Sequence, residues 1–298
     1  MSATYPLDAI EVVDGAITVD LMLNEPMRIT RYVSDLAAKQ LFAGDIFTAD
    51  RAVGGAIIFD QLTKNDIQLG GAAEIPAGGE FPILSGEGDE PQVARVKKTG
   101  GKVKVTDEAR KRNSQALLQR ELRKLTNTIV VDLDSTALAT LEAAHTALGS
   151  DALKVESGGW EAAGKATSAT KTAANSVRAD ILRAKAAGSS TELGYVYNQL
   201  IVHDEDWLNL QIALESDANV QAFLASNGLT VISSPRATKG TPKLVAGQTV
   251  GVMGIEDPLS TETYDDRKIQ STWTQSWVTA AFAVTDPLAI VEIENASA

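Results

Sequence analysis

The longest regular pattern in the chain lies between Thr106 and Gly149. Leu118, Leu122, Leu125, Ile129 and Leu133 recur at spacings of four and three, Leu141 and Leu148 continue the stripe, and neither Gly nor Pro interrupts it. A 3.6-residue period sustained this long predicts one amphipathic helix, with a bend near Asp132-Leu133-Asp134. Thr106 is placed to cap it, and Asp107 and Glu108 fall at the positive end of its dipole. About forty residues at a 1.5 Å rise give roughly 60 Å, long enough to be a spine on which other elements pack.

The flanking segments read differently. Residues 1–50 hold Pro6, Gly15 and Pro26 and keep no sustained period, which predicts an extended arm with one short helix from Ser34 to Phe42, capped by Ser34. In residues 51–106, the apolar run Ala56 to Phe59 and the strand-like runs Val93 to Val96 and Lys102 to Val105 are separated by a stretch rich in Gly and Pro, from Gly70 to Gly88. This predicts a long hairpin whose middle buries little and needs a partner surface. After a stretch of small and hydroxyl side chains from Gly149 to Thr172, the pattern predicts a helix over 174–187 ended by Gly188, a strand from Tyr195 to Val202, and a helix from Trp207 to Ala225 stopped by Gly228. Strands follow at 229–232, 243–245, 250–255, 270–284 and 289–293. The fold class is α+β, without internal repeats.

Composition narrows the function classes. The 298 residues are 44% hydrophobic and 22% charged, ordinary for a globular chain. The absence of cysteine excludes disulfides, thiolate zinc sites, iron–sulfur clusters and a cysteine nucleophile. Met1 to Asp20 carry no base and no apolar core of a secretory signal. The most apolar run, Trp277 to Val284, is far shorter than the roughly 18 to 20 residues that span a bilayer. No membrane partner is expected.

Catalytic chemistry is poorly represented. Gly159-Trp160-Glu161-Ala162-Ala163-Gly164-Lys165-Ala166 follows the phosphate-binding pattern G-x-x-x-x-G-K-[ST] except at its last position, the magnesium ligand, where Ala166 has no hydroxyl. The preceding Lys154 to Gly158 does not read as a buried strand feeding a helix, so an ordinary loop is the plainer reading. His145 and His203 are the two histidines, too few for a histidine-rich metal site. Asp204-Glu205-Asp206 beside His203 reads as an acidic first turn rather than part of a triad. Asp132 and Asp134, two apart on a helix, do not face each other and divide between the solvent face and a subunit contact. Asp265-Asp266-Arg267-Lys268 reads as a mixed-charge turn. No catalytic, cofactor or metal residue is assigned, and no cofactor is expected.

The net charge of −12 argues against a nucleic-acid-binding domain as a description of the whole chain, but the charge is unevenly placed. Pro91 to Leu125 holds eleven bases and three acids, a local +8 that leaves −20 elsewhere. The arm before Arg28 carries acids and no base, and the hairpin middle adds five acids. Two readings follow: a solvated basic face with pairing inside the chain, or complementarity between copies. On the second, the candidate inter-subunit residues are Asp8, Glu11, Asp14, Glu80, Glu87, Asp89 and Glu90 on the acidic side. Arg95, Lys97, Lys98, Arg110 and Arg112 stand on the basic side.

The order arm, glycine-interrupted hairpin, spine helix, mixed unit and strand-rich tail resembles the major capsid proteins of tailed bacteriophages, the Hong Kong 97-like fold. The residues that carry the resemblance are Glu80-Phe81-Pro82, the run from Lys97 to Glu108 leading into the spine, and the tail from Trp277 through Asp286-Pro287 to Ile290. The resemblance implies an arm at 1–50, an extended loop at 51–106, a peripheral domain at 107–149 and 267–298, and an axial domain at 150–266. It further implies hexamers and pentamers forming an icosahedral shell around double-stranded DNA, without enzymatic activity, in a virion assembled in the bacterial host cytoplasm. Implied partners are further copies of the chain, a portal, a scaffolding protein, weakly contacted DNA and cement proteins. A compartment shell of the encapsulin type is the alternative within the fold, and a nucleotide-binding enzyme using Gly159 to Lys165 the alternative outside it.

Overall fold

A computed structural model of the protein describes residues 12, 13, 16, 17, 19–62, 75, 91–112, 114–165, 177–214 and 217–297. Strands β1 (Val12–Val13) and β2 (Ala16–Ile17) precede helices α1 (Val19–Asn24), α2 (Pro26–Ala38) and α3 (Ala43–Ile46). Next come β3 (Thr48–Arg51), the ribbon strands β4 (Ala56–Phe59) and β5 (Gln92–Arg95), then β6 (Lys97–Thr106), α4 (Asp107–Lys111) and the long α5 (Gln115–Ala147). The second half runs β7 (Leu153–Glu156), α6 (Trp160–Lys165), α7 (Val177–Ser189), β8 (Gln199–Val202), α8 (Asp204–Ala213) and α9 (Asp217–Asn227). It closes with β9 (Thr230–Ser233), β10 (Lys243–Val245), β11 (Gly251–Asp266), β12 (Ser271–Val284) and β13 (Ile290–Glu294).

The expected spine is two helices. Thr106 caps the first, its hydroxyl accepting from the Ala109 amide at 3.3 Å. The chain leaves that helix at Arg112 and re-enters helix at Gln115. The Asp107 amide is tied to the Gln270 carbonyl at 3.0 Å, so the start of α4 is fixed to the β11–β12 turn, whereas α5 packs on β6 and β12. From there α5 continues through Asp132-Leu133-Asp134 for 33 residues, roughly 50 Å.

Two cores share that helix. Its first half buries Leu118 and Leu122 against Val105 and, from the arm, Val19, Leu23, Ile29 and Val33, while Leu125 and Ile129 meet Val278. Its second half buries Ala137 and Leu141 in a larger core with Trp160, Ile181, Leu200, Leu244 and Ile290. The arm therefore owns part of a core, contrary to the reading of it as extended. Pro26, taken as a breaker, occupies the first turn of α2, where its missing N–H and fixed φ suit a helix start. Ser34 lies inside that helix and caps nothing.

The hairpin also differs from expectation. The ribbon pairs Ala56–Phe59 with Gln92–Arg95, whereas Lys97–Thr106 pairs antiparallel with β12, from Thr106 opposite Ser271 to Lys97 opposite Ala280. Alternation in β6 leaves Val103 and Val105 on one face, and a ten-residue strand of this kind needs a partner of matching length and a helix to cover that face. The resulting four-stranded sheet has the order β3-β11-β12-β6. The five-stranded sheet has the order β7-β13-β10-β8-β9, with β13 parallel to β7 and antiparallel to β10. Strand β7 falls in the stretch read as irregular.

Further along, the expected helix over 207–225 is α8 and α9. The first is capped by His203, whose Nδ1 accepts from the Glu205 amide at 3.1 Å, with Asp204, Glu205 and Asp206 in its first turn. Gly228, at φ +62°, follows α9 as expected. Gly188 does not end its helix. It is buried within α7, and a Cβ there would run into the Tyr197 ring. Tyr197 donates to the Leu288 carbonyl at 3.0 Å, so Gly188→Ala should displace the ring and weaken this bond. A loss of about 1–3 kcal/mol in denaturant unfolding is expected; an unchanged midpoint would show that the ring has room.

Candidate assembly surface

The four-stranded sheet has one face on α5 and one turned outward. On the inner face Thr272, Thr274, Ser276 and Val278 are buried with Val105. On the outer face the same alternation sets Lys98, Gly100, Lys102 and Lys104 of β6 beside Trp273, Gln275 and Trp277 of β12, and Glu262 and Tyr264 of β11 beyond them. The Lys98 ammonium stands 4.7 Å from the Trp277 ring centroid and that of Lys102 4.6 Å from Trp273, distances at which a cation is attracted to the ring face. Gly100 lies opposite Trp277, and any side chain there would place its Cβ 2.7 Å from the Trp277 Cβ. Glycine is what lets tryptophan and lysines share one face.

Of the candidate inter-subunit residues, Asp8, Glu11, Asp14, Glu80, Glu87, Asp89 and Glu90 lie outside the described residues. Arg95 is exposed on the ribbon and Arg112 is exposed at the end of α4. Lys98 belongs to the outer face. Lys97 points the other way, to Asp132 of α5 at 3.0 Å. Thr99 donates to the same carboxylate at 2.8 Å, and this bond, with that of Lys97, lowers the Asp132 pKa. Asp132 and Asp134 do divide between two surroundings, but both partners lie within the chain. Arg110 approaches Asp265 at 4.0 Å. Arg267 of the β11–β12 turn bonds Asp265 and reaches Asp107 at 3.2 Å, so the mixed-charge turn is stitched to α4. Hydrogen bonds from Thr272 and then Arg267 lower the Asp265 pKa.

Asp134 is the most constrained of the polar groups missed by the pattern. It is fully buried, accepts from the Ala43 amide at 3.2 Å, and meets Arg236 at 3.4 Å. One carboxylate thus joins the arm, the spine and the loop before β10. Desolvation raises its pKa to about 6, against the lowering pull of Ala43 and Arg236. His145, near the end of α5, is buried with Nε2 3.2 Å from the Leu153 carbonyl and Nδ1 3.7 Å from Glu292, which also takes Lys243 at 3.0 Å. Burial lowers the His145 pKa.

The phosphate-loop reading fails on geometry. A strand does precede it, since β7 leads through Gly158 and Gly159 into α6, but Trp160–Lys165 is itself helical and Trp160 is fully buried. The polar groups at the start of this turn already have an anion. Asp180 accepts from Ser157 at 2.8 Å, the Gly158 amide at 3.3 Å and the Trp160 indole at 3.2 Å. Among the described residues no group of acidic or histidine side chains is arranged to hold a metal, and no helix is long and apolar enough to cross a membrane.

A sequence profile of the phage capsid protein family matches residues 89–293, which hold α5, the five-stranded sheet up to Ile293 and all of the four-stranded sheet except β3. The chain belongs to the phage capsid protein family. Its architecture is the Hong Kong 97-like fold, and this capsid protein forms shells by self-association. No curated protein matches the chain. Among solved structures, a phage-related protein from Bordetella bronchiseptica RB50 superposes with a TM-score of 0.62 at 15% identity, covering 90% of this chain and 97% of that one. One from Mycobacterium phage Bobi gives 0.62 at 11%, covering 85% and 90%. A virus-like particle from Pyrococcus furiosus gives 0.59 at 12%, covering 91% and 100%. At these identities the likeness is one of fold.

The buried carboxylate makes the stability of the capsid protein depend on pH in a definite sense. Between the ordinary aspartate value of 3.8 and about 6, the folded chain holds a proton on Asp134 that the unfolded chain releases. The cost of burying the charge is therefore full above pH 6 and relieved as pH falls through that window. Asp134→Asn should be more stable than wild type at pH 7.5, by on the order of 1–3 kcal/mol, and nearly equal to it at pH 4. Unfolding curves at both pH values check this; a pH-independent difference would contradict it.

Proposed function

We propose that this chain is the major capsid protein of a tailed phage, building hexamers and pentamers of an icosahedral head around double-stranded DNA and performing no catalysis. The observation that carries the reading is the family match over 89–293, which takes in the whole of α5 and most of both cores. On this reading residues 1–50 are the arm, 51–106 the extended loop, 107–149 and 267–298 the peripheral domain, and 150–266 the axial domain. The virion is its location and the bacterial host cytoplasm its place of assembly. A portal and a scaffolding protein are its assembly partners, cement proteins attach outside, and DNA is touched weakly by a chain whose net charge is −12. Fold alone does not separate a head from a compartment that encloses protein, so the contents of the particle decide. Electron microscopy of the purified chain should show closed shells, and particles from infected cells should hold nuclease-protected DNA. Monomers only, or shells filled with a protein cargo, would sink the reading.

The arm separates assembly from folding. Residues 1–11 carry Asp8 and Glu11, so on the reading of complementarity between copies a chain lacking them should give a lower yield of shells, most clearly at low salt. Removing residues 1–26 also takes away buried Val19 and Leu23 and should cost several kcal/mol. Thermal unfolding and sedimentation of both truncations distinguish the two effects.

A further inference from the structure

The exposed side of the spine changes its charge half-way along. In the half of α5 that packs on the four-stranded sheet, Arg120, Arg123 and Lys124 are exposed, and Glu121 is the one acid between Ser114 and Val131. In the half that serves the larger core, from Asp132 to Ala147, there is neither Lys nor Arg, and Glu142 is exposed. With 3.6 residues to a turn, Arg120, Arg123, Lys124 and Asn127 fall within an arc of about 100° on the solvent side of the helix, Arg120 and Lys124 about 6 Å apart along its axis.

These cations are open to a partner. Glu121 meets Arg120 at 3.3 Å and Lys124 at 2.9 Å, but the two basic side chains are 64% and 61% exposed, and pairs so open to water bind weakly and exchange readily. One carboxylate is shared between two bases, and Arg123 has no ion pair among the described residues. The face also looks away from the surface formed by Lys98, Lys102 and Lys104, because α5 covers the opposite side of that sheet. The two basic surfaces lie back to back and need not share an occupant.

The remaining side chains select the kind of anion. Helix α5 has no Phe, Tyr or Trp in its length, so it offers no platform for the unstacked bases of a single strand. Val131 is the one large apolar side chain exposed on it, which does not make the apolar core and aromatic anchors of a protein contact. What stands beside the three cations is Gln119 and Asn127, both exposed amide donors. Such a set pairs with phosphate and sugar and reads no sequence. Phosphates of one strand in a duplex follow at about 3.4 Å along its axis, so the interval from Arg120 to Lys124 spans about two of them.

We infer that Arg120, Arg123 and Lys124 hold the phosphate backbone of double-stranded DNA on the exposed face of α5, with Gln119 and Asn127 donating beside them. This contact rests on the capsid reading and names the surface that meets the packaged genome. It is weak in each copy and repeated in every copy, so a shell retains its duplex by the number of contacts. Fluorescence anisotropy of a labelled duplex with the unassembled full-length chain tests it. Three phosphate contacts predict that binding falls about fortyfold between 50 and 200 mM salt, whatever the sequence of the duplex. R120Q/R123Q/K124Q should bind at least about tenfold more weakly at 50 mM salt and lose most of that salt dependence, while keeping the wild-type circular dichroism and shell yield. Undiminished binding by the variant would overturn the contact, as would a wild-type chain that ignores duplex at 50 mM salt or prefers a single strand. A variant that binds duplex normally but assembles poorly would overturn it in favour of a protein contact. Loss of binding in the variant, with a wild type that never forms shells, would uphold the contact and remove the capsid reading instead.

Discussion

Everything in this molecule is referred to one rod. Across its 33 residues α5 changes the surface it serves: Leu118 to Ile129 are buried on the four-stranded sheet and the arm, while Ala137 and Leu141 belong to the core of the five-stranded sheet. Leu133, between them, packs against both cores. A straight helix with a 3.6-residue period turns its apolar stripe slowly about its axis, so two bodies can be fixed to it at different angles without a break. The relation between the two sheets is thus set by helix geometry, in which every turn is hydrogen-bonded, rather than by a loop.

The handover between the two cores is marked by polar groups. Asp132 ties the exposed side of α5 to β6 through Lys97 and Thr99, and Asp134, on the other side, gathers Ala43 and Arg236. Such groups are costly to bury and strict about partners. They make the register of arm, spine and loop definite where apolar packing alone would tolerate slippage. Asp180 does the same at the entrance to α6, holding Ser157, Gly158 and Trp160 around one carboxylate.

The legible parts of the fold were those with a long or strict period. The stripe from Leu118 to Leu141, the alternation in Val103-Lys104-Val105 and the strands at 243–245 and 271–284 stand close to where the pattern places them. What failed were features decided by context. Pro26 breaks a helix interior but opens α2; the helix breaks between Arg112 and Ser114 in a stretch that holds neither Gly nor Pro; β7 is four residues long and exists because β13 lies beside it. At the candidate assembly surface, the basic cluster was visible as charge, but strand pairing decides which lysines look outward. Lys98 and Lys97 are neighbours in sequence with opposite roles, and Lys102 and Lys104 went unselected because the tryptophans that align with them are some 170 residues away.

Strand β13 has a consequence for how the protein is made. It lies between β7 and β10 in the five-stranded sheet, with Ile290, Val291 and Ile293 fully buried, although it follows all four of the other strands in the chain. The larger core therefore stays open until β13 has left the ribosome, after every other strand of the sheet. A polypeptide cut short before Ile290 lacks the strand that closes this body, so folding itself screens out such a subunit before it joins a lattice.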